Sequence, residues 1–351
     1  MPSSPPPRTR KSSSWRLQAV DFSLVEAAKR VVDGALGVVP GETVLIVHDR
    51  SRTDLANALL DAVSERGAVG SVLLLEDVAD RPHASLHPTI QSGLASCQAS
   101  VFIAGFEPGE GEMRRDLLSW IQRMRLRHAH MVGVTKRTML TGMTTDPRRI
   151  AQVAAMVRAR TRPTSVFSVR GPDGASLQVR CAPAHVWLEH SGVIRPGRWE
   201  NLPTGEIVTA PGDVHGTFVC NASVSEAFGA RAGLLRDAPL LLEIDHGVVR
   251  SVRGGNDSLA REVAGWMRGA RDLDRVGLFS LGTNVGITEA IGEVVCDQAM
   301  PGLHIALGST LADQTRASWD ARAQLVLTSS GMDVDLDGIP LIRSGRYLNL
   351  T

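Results

Sequence analysis

A histidine inside an apolar run and an aspartate sixteen residues beyond it are the first candidates for chemistry in this chain. His304 lies in "GLHIALG", Gly302 to Gly308, and Asp320 in "SWDA", Ser318 to Ala321. On a strand, Leu303 and Ile305 face one way and His304 with Ala306 the other. A third candidate, Glu206, sits in "NLPTGEIVTAP", Asn201 to Pro211, where a Pro-Thr-Gly turn precedes a β-branched run and projects one carboxylate from a strand entrance. Each also has an ordinary reading: an edge glutamate, a satisfied core histidine, a cap or turn carboxylate.

Other motifs carry less. "DVDLDG", Asp333 to Gly338, has the first half of a calcium loop, but Ser344 stands where a bidentate glutamate is needed and the flanks read as strands around a turn. His215 in "DVHGTF" and His246 in "EIDHGVV" each lie beside a glycine at a strand end, a setting for exposed turn histidines. There is no G-x-S-x-G elbow and no phosphate-binding glycine pattern, so neither a serine hydrolase nor a nucleotide site is indicated. Cys97, Cys181, Cys220 and Cys296 are far apart, form no C-x-x-C pair and read as reduced thiols of a cytoplasmic protein.

The elements that must position these residues change character along the chain. From Phe22 to about Arg160, helical patterns such as "RTDLANALLDAVSERG" and "EMRRDLLSWIQRMRLR" alternate with short apolar runs such as "TVLIVHD" and "ASVFIAGFE". That alternation predicts crossover connections and a parallel sheet covered on both faces. Beyond Thr161, "TSVFSVRGPDGASLQVRCA" and "APLLLEIDHGVVRSVRGG" are pairs of β-rich runs around turns, with one clear helix at "SLAREVAGWMRGA". The expected organisation is a disordered Pro/Ser/Arg tail over 1–15, an α/β domain with a doubly wound parallel sheet over 16–160, and a larger α+β domain of mainly antiparallel strands over 161–351 that carries the candidate site. The chain has 351 residues, enough for two cores.

Charge and hydropathy narrow the partners. With 38 basic and 37 acidic residues interspersed, no global field exists to hold a polyanion, so nucleic acid is not an expected partner. Mean hydropathy is −0.01 and no apolar run approaches the roughly 20 residues of a membrane helix.

Taken in order, "NLPTGEIVTAP", "SLGTN", "GLHIALG" and a terminal x-x-Asp before strand-rich sequence resemble the aminopeptidase T and aminopeptidase S family of metallo-aminopeptidases. The wider superfamily also contains iron-dependent 2,5-dihydroxypyridine dioxygenases. The similarity covers the chain from about Phe22 to its end and is strongest in the second half. It implies two divalent metals held by Glu, Glu, His and a terminal His-x-Asp, in a cleft between two domains that admits the amino end of a peptide. Glu206 matches the first Glu, His304 the first His and Asp320 the final Asp. Leu278 stands at the second Glu and Ser318 at the His of His-x-Asp. A leucine supplies neither charge nor lone pair to offset the repulsion of two close dications.

The resemblance therefore implies a divalent metal (zinc, manganese, cobalt or iron) on Glu206, His304 and Asp320 as a mononuclear centre, or the loss of the metal altogether. His215 or His246 would have to fold into the cleft to restore a second imidazole. Three functions follow. The first is a metal-dependent hydrolase of an amide bond in a peptide or peptide-like small molecule. The second is a divergent member that binds a ligand or catalyses a metal-free step, favoured by Leu278 and Ser318. The third is a non-haem iron ring-cleaving dioxygenase. The family also implies a homodimer.

Overall fold

The structure is a computed structural model that describes residues 23–349 except 226, 227, 229–231 and 256. The expected tail over 1–15 lies outside the described residues. The first helix opens on a capping box: Ser23 Oγ accepts from Glu26 N while the Glu26 carboxylate accepts from Ser23 N. Four strands then alternate with helices: β1 (Thr43–His48), β2 (Val69–Leu74), β3 (Ala99–Ala104) and β4 (Arg127–Val132). β1 and β3 are buried along nearly their whole length, as expected of strands covered on both faces.

The remaining strands are β5 (Val166–Arg170), β6 (Ser176–Cys181), β7 (Leu188–His190), β8 (Arg198–Asn201), β9 (Glu206–Thr209), β10 (Pro211–Cys220), β11 (Leu240–Asp245), β12 (Val248–Gly254), β13 (Val276–Gly282), β14 (Gly302–Gly308), β15 (Gln324–Leu327), β16 (Asp333–Leu336), β17 (Ile339–Arg343) and β18 (Arg346–Tyr347). Apart from β8, they build two antiparallel sheets, β12-β11-β10-β6-β5-β16-β17-β18 and β15-β14-β13-β9-β7. The larger sheet alternates, with Leu177, Val179 and Cys181 of β6 inward and Ser176, Gln178 and Arg180 outward. Its inner face meets the inner face of the smaller sheet in one core that includes Phe167, Leu177, Phe218, Phe279, Leu281 and Ile305.

This α/β organisation, a parallel sheet followed by a larger antiparallel part, is the one the pattern of apolar runs predicts. One strand crosses the expected boundary. β8 belongs to the second half of the chain yet pairs in parallel with β4, so the five-stranded parallel sheet has the order β2-β1-β3-β4-β8.

The order of that sheet reverses between β1 and β3, the place where doubly wound folds usually open a ligand crevice. Here the crevice holds the guanidinium of Arg81. It donates to Asp49 Oδ2 at 2.7 Å, to Glu110 Oε1 and Oε2 at 2.8 and 2.7 Å, and to the Gly105 carbonyl at 3.2 Å. Gly105 N–H and Ser51 Oγ–H complete the Asp49 carboxylate. The two parts of the molecule are also joined by Glu293, which accepts from the hydroxyls of Thr135 and Thr138. Among the described residues no helix is long and apolar enough to cross a membrane.

Candidate functional site

Side chains on one face of an antiparallel sheet form cross-strand rows. In the smaller sheet His190, Glu206 and Gly282 share one row; Leu188, Val208, Ser280 and His304 share the next; Leu278, Ala306 and Val326 share a third. The face that holds Glu206, Leu278 and His304 is thus common to all three, opposite the Phe279–Leu281 core face. Glu206 and His304 are nevertheless two strands apart, roughly 10 Å at the usual strand spacing.

Two glycines lock these motifs together. Gly205, at φ +141°, lies against Asn284: a Cβ there would sit 2.7 Å from Asn284 Cβ and 2.9 Å from its backbone nitrogen. Its carbonyl accepts from Thr283 N at 2.7 Å. A Cβ on Gly282 would fall 1.8 Å from the Met300 carbonyl oxygen. The Pro-Thr-Gly-Glu turn, the Gly-Thr-Asn segment and the approach to His304 are consecutive layers of backbone in contact.

His304 is buried, and both ring nitrogens are engaged. Nε2–H donates to the Met300 carbonyl at 2.9 Å and Nδ1 accepts from Ser329 N–H at 3.2 Å. Burial pushes its pKa down to about 4, so the ring is neutral at ordinary pH. Leu278, at the position expected of a carboxylate, packs with Val208, Ala210 and Ala306 in a small apolar cluster.

Asp320 lies far from both. Its Oδ1 accepts from Ser309 Oγ, Thr310 N and Ala321 N at 2.8, 2.7 and 2.9 Å, and these bonds hold its pKa below the usual carboxylate value against a desolvation penalty. It is exposed and braces the loop after β14 through Ser309, which lies five residues along from His304, roughly 16 Å on an extended chain. Ser318 is exposed in the same loop.

His215 and His246 do not join Glu206 or His304. They are 67% and 77% exposed, His215 on β10 and His246 in the β11–β12 turn, where they pair with Asp245 and Asp213 at 3.3 and 3.4 Å. The three aspartates of "DVDLDG" serve the β16–β17 hairpin: Asp333 accepts from Ser344 N, Asp335 pairs with Arg343 and Asp337 accepts from Ser165 Oγ and Val166 N.

The expected ligands therefore do not fit a metal held as the resemblance implies. Glu206, His304 and Asp320 are not brought together, the His304 lone pair is in use, and Leu278 offers none. Among the described residues no group of three or more His, Cys, Asp or Glu side chains is arranged to hold a metal ion.

Glu206 instead faces two residues that the motifs did not indicate. His190 Nδ1 lies 3.3 Å from Glu200 Oε2, joining β7, the edge of the antiparallel sheet, to β8, the edge of the parallel one. His190 is also the cross-strand partner of Glu206. Burial raises the Glu206 pKa, opposed by the charge of His190 and a hydrogen bond from Ser280. Burial alone would lower His190, but the Glu200 hydrogen bond and the neighbouring carboxylates outweigh it and the net shift is upward. Beside them, Asn284 Nδ2 donates to the carbonyls of Gly142 and Thr204. Asn284 Oδ1 and Thr283 Oγ1 are buried with no hydrogen-bond partner among the described residues.

Sequence comparison identifies the lineage. The profile of the family described as NicX: 2,5-dihydroxypyridine 5,6-dioxygenase matches residues 24–285. The chain belongs to that family. The match ends before the segments that carry His304 and Asp320. Among solved structures, this family member is similar in fold to "2,5-dihydroxypridine Dioxygenase from Pseudomonas putida KT2440", at 15% identity and TM-score 0.63 over 93% of this chain and 96% of that one. It is similar also to "Wild-type AmpT from Thermus thermophilus", at 17% identity and TM-score 0.66 over 93% of this chain and 99% of that one. A search by sequence among curated proteins gives no match.

Proposed function

We propose that this family member hydrolyses an amide bond of a small peptide-like molecule by acid–base chemistry at Glu206 and His190, as a divergent member without a dinuclear metal centre. The observation that carries the reading is the His190–Glu200 contact of 3.3 Å set directly across the strand pair from Glu206. Amide hydrolysis needs one group to take a proton from the attacking water and another to give one to the leaving nitrogen. Glu206, whose carboxyl burial pushes up from the usual carboxylate range, is the acceptor of the proton from water. Glu200 holds the imidazole by Nδ1 and leaves Nε2–H of the protonated His190 as the donor to the leaving nitrogen. The buried Thr283 Oγ1 and Asn284 Oδ1, without a hydrogen-bond partner among the described residues, are the polar atoms nearest in sequence to this row that a ligand would have to satisfy.

Family membership favours a second ligand class, a hydroxylated aromatic ring, and the same experiment separates the two. Protein dialysed against chelator is assayed for metal and screened on aminoacyl anilides and on hydroxypyridines with oxygen uptake recorded. Amide turnover should persist without metal, and Glu206→Gln and His190→Asn should each lower it by about 10²-fold or more. Turnover that vanishes with chelator and returns with zinc, manganese, cobalt or iron would overturn the proposal, as would oxygen uptake with an aromatic ring.

A further inference from the structure

We infer that His304 is a structural strut: it stands where a metal ligand is expected by resemblance, but it ties β14 to the segments of Met300 and Ser329 by two hydrogen bonds and does so without a metal. A neutral imidazole has one N–H and one lone pair. In His304 the N–H serves the Met300 carbonyl and the lone pair receives Ser329 N–H, which together define the Nε2-protonated tautomer.

Metal binding through Nδ1 would strand the Ser329 N–H in a buried site. Binding through Nε2 would strand the Met300 carbonyl and move the proton to Nδ1, where it would point at another N–H. Neither end of the strut can swing away. The Met300 carbonyl oxygen is pressed so closely against Gly282 that a single added methyl carbon would fall 1.8 Å from it. The residue after Ser329 is held by Asn221, whose Oδ1 accepts from Ser330 N at 2.7 Å. The ring itself is packed so that a Cβ on Gly302 would touch its Cε1 at 3.4 Å. Its row neighbour is Ser280 and the next residue on its own face is Ala306, neither of which offers a second nitrogen or carboxylate, and among the described residues no group of three or more His, Cys, Asp or Glu could hold a metal ion.

This inference is independent of the acid–base reading of Glu206 and His190, and its test needs no substrate. Full-length protein with ¹⁵N-labelled histidine is examined by NMR before and after addition of zinc, manganese, cobalt or anaerobic ferrous iron, and melting is followed for wild type, His304→Gln and His304→Ala. The His304 ring should be the Nε2-protonated tautomer and should not respond to metal. His304→Gln, which keeps a donor and an acceptor, should melt within about 2 °C of wild type, whereas His304→Ala should fall by about 5 °C. A metal-dependent change at either His304 nitrogen, or a metal-induced rise in melting temperature that His304→Gln abolishes, would overturn the inference. If His304→Ala does not fold, the labelled ring and the glutamine variant still decide.

Discussion

At the scale of single residues His128, His130 and His304 on one side and His190 on the other have opposite consequences for stability. His128 is held well below its usual pKa by burial, and His130 is pushed down to about 3 by the same cause with Arg114 nearby. With His304 they stay neutral in the fold but gain a proton in the unfolded chain below about pH 6.5. The unfolded state then binds more protons, so stability is complete above pH 6.5 and falls as the pH drops toward 4. At pH 5 the loss should be roughly 2 kcal/mol for each such histidine, read as a lower urea midpoint at pH 5 than at pH 7. His190 has the opposite sign: its contribution is complete below pH 6.5 and is lost as the pH rises through its elevated folded value. His190→Asn should therefore remove stability at pH 6 and change little at pH 9.

The same residues mark the limit of reading the chain from its letters. Glu206, His304 and Asp320 could be picked out because each sits in a recognisable stretch. Nothing local says that the lone pair of His304 is spoken for by Ser329, twenty-five residues later. Glu200 and His190 had no motif around them at all. Their contact exists because two short edge strands from different sheets happen to end side by side.

At the scale of elements, strands and helices were legible wherever an apolar period persisted, as in β1, β3 and the β5–β6 hairpin. Close approaches between distant loops were not. Gly205 and Gly282 illustrate this: each is required by a neighbour far away in the chain, Asn284 for one and the Met300 carbonyl for the other. Gly282→Ala would drive a Cβ into rigid backbone, and a loss of about 3 kcal/mol or more is expected in urea unfolding. Gly331→Ala, at positive φ but in open space, should cost about 1 kcal/mol and serves as the control.

At the scale of the whole molecule, the ion network at the switch point of the parallel sheet is as consequential as the His190–Glu200 contact. Arg81 joins Asp49 to Glu110, both buried; burial pushes both carboxyls up, but hydrogen bonds from Ser51, Gly105 N–H and Arg81 at Asp49, and from Arg81 and His83 N–H at Glu110, hold both below their usual pKa values. Arg81→Met would leave two carboxylates uncompensated, and a loss of about 3–5 kcal/mol is expected in chemical denaturation at pH 7. The deficit should shrink as the pH falls through the carboxylate range, because protonation removes the unpaired charge.

β8 has a different consequence. A protein cut after Arg160 would keep four parallel strands and lose the fifth, which exposes the hydrogen-bonding edge of β4 to any strand that can reach it. The missing piece is only four residues, but it is supplied by the other half of the chain, threaded through the junction where His190 meets Glu200. The two halves are therefore not separable modules: they should melt in a single cooperative transition, and an isolated N-terminal fragment should self-associate where the intact chain has closed its own seam.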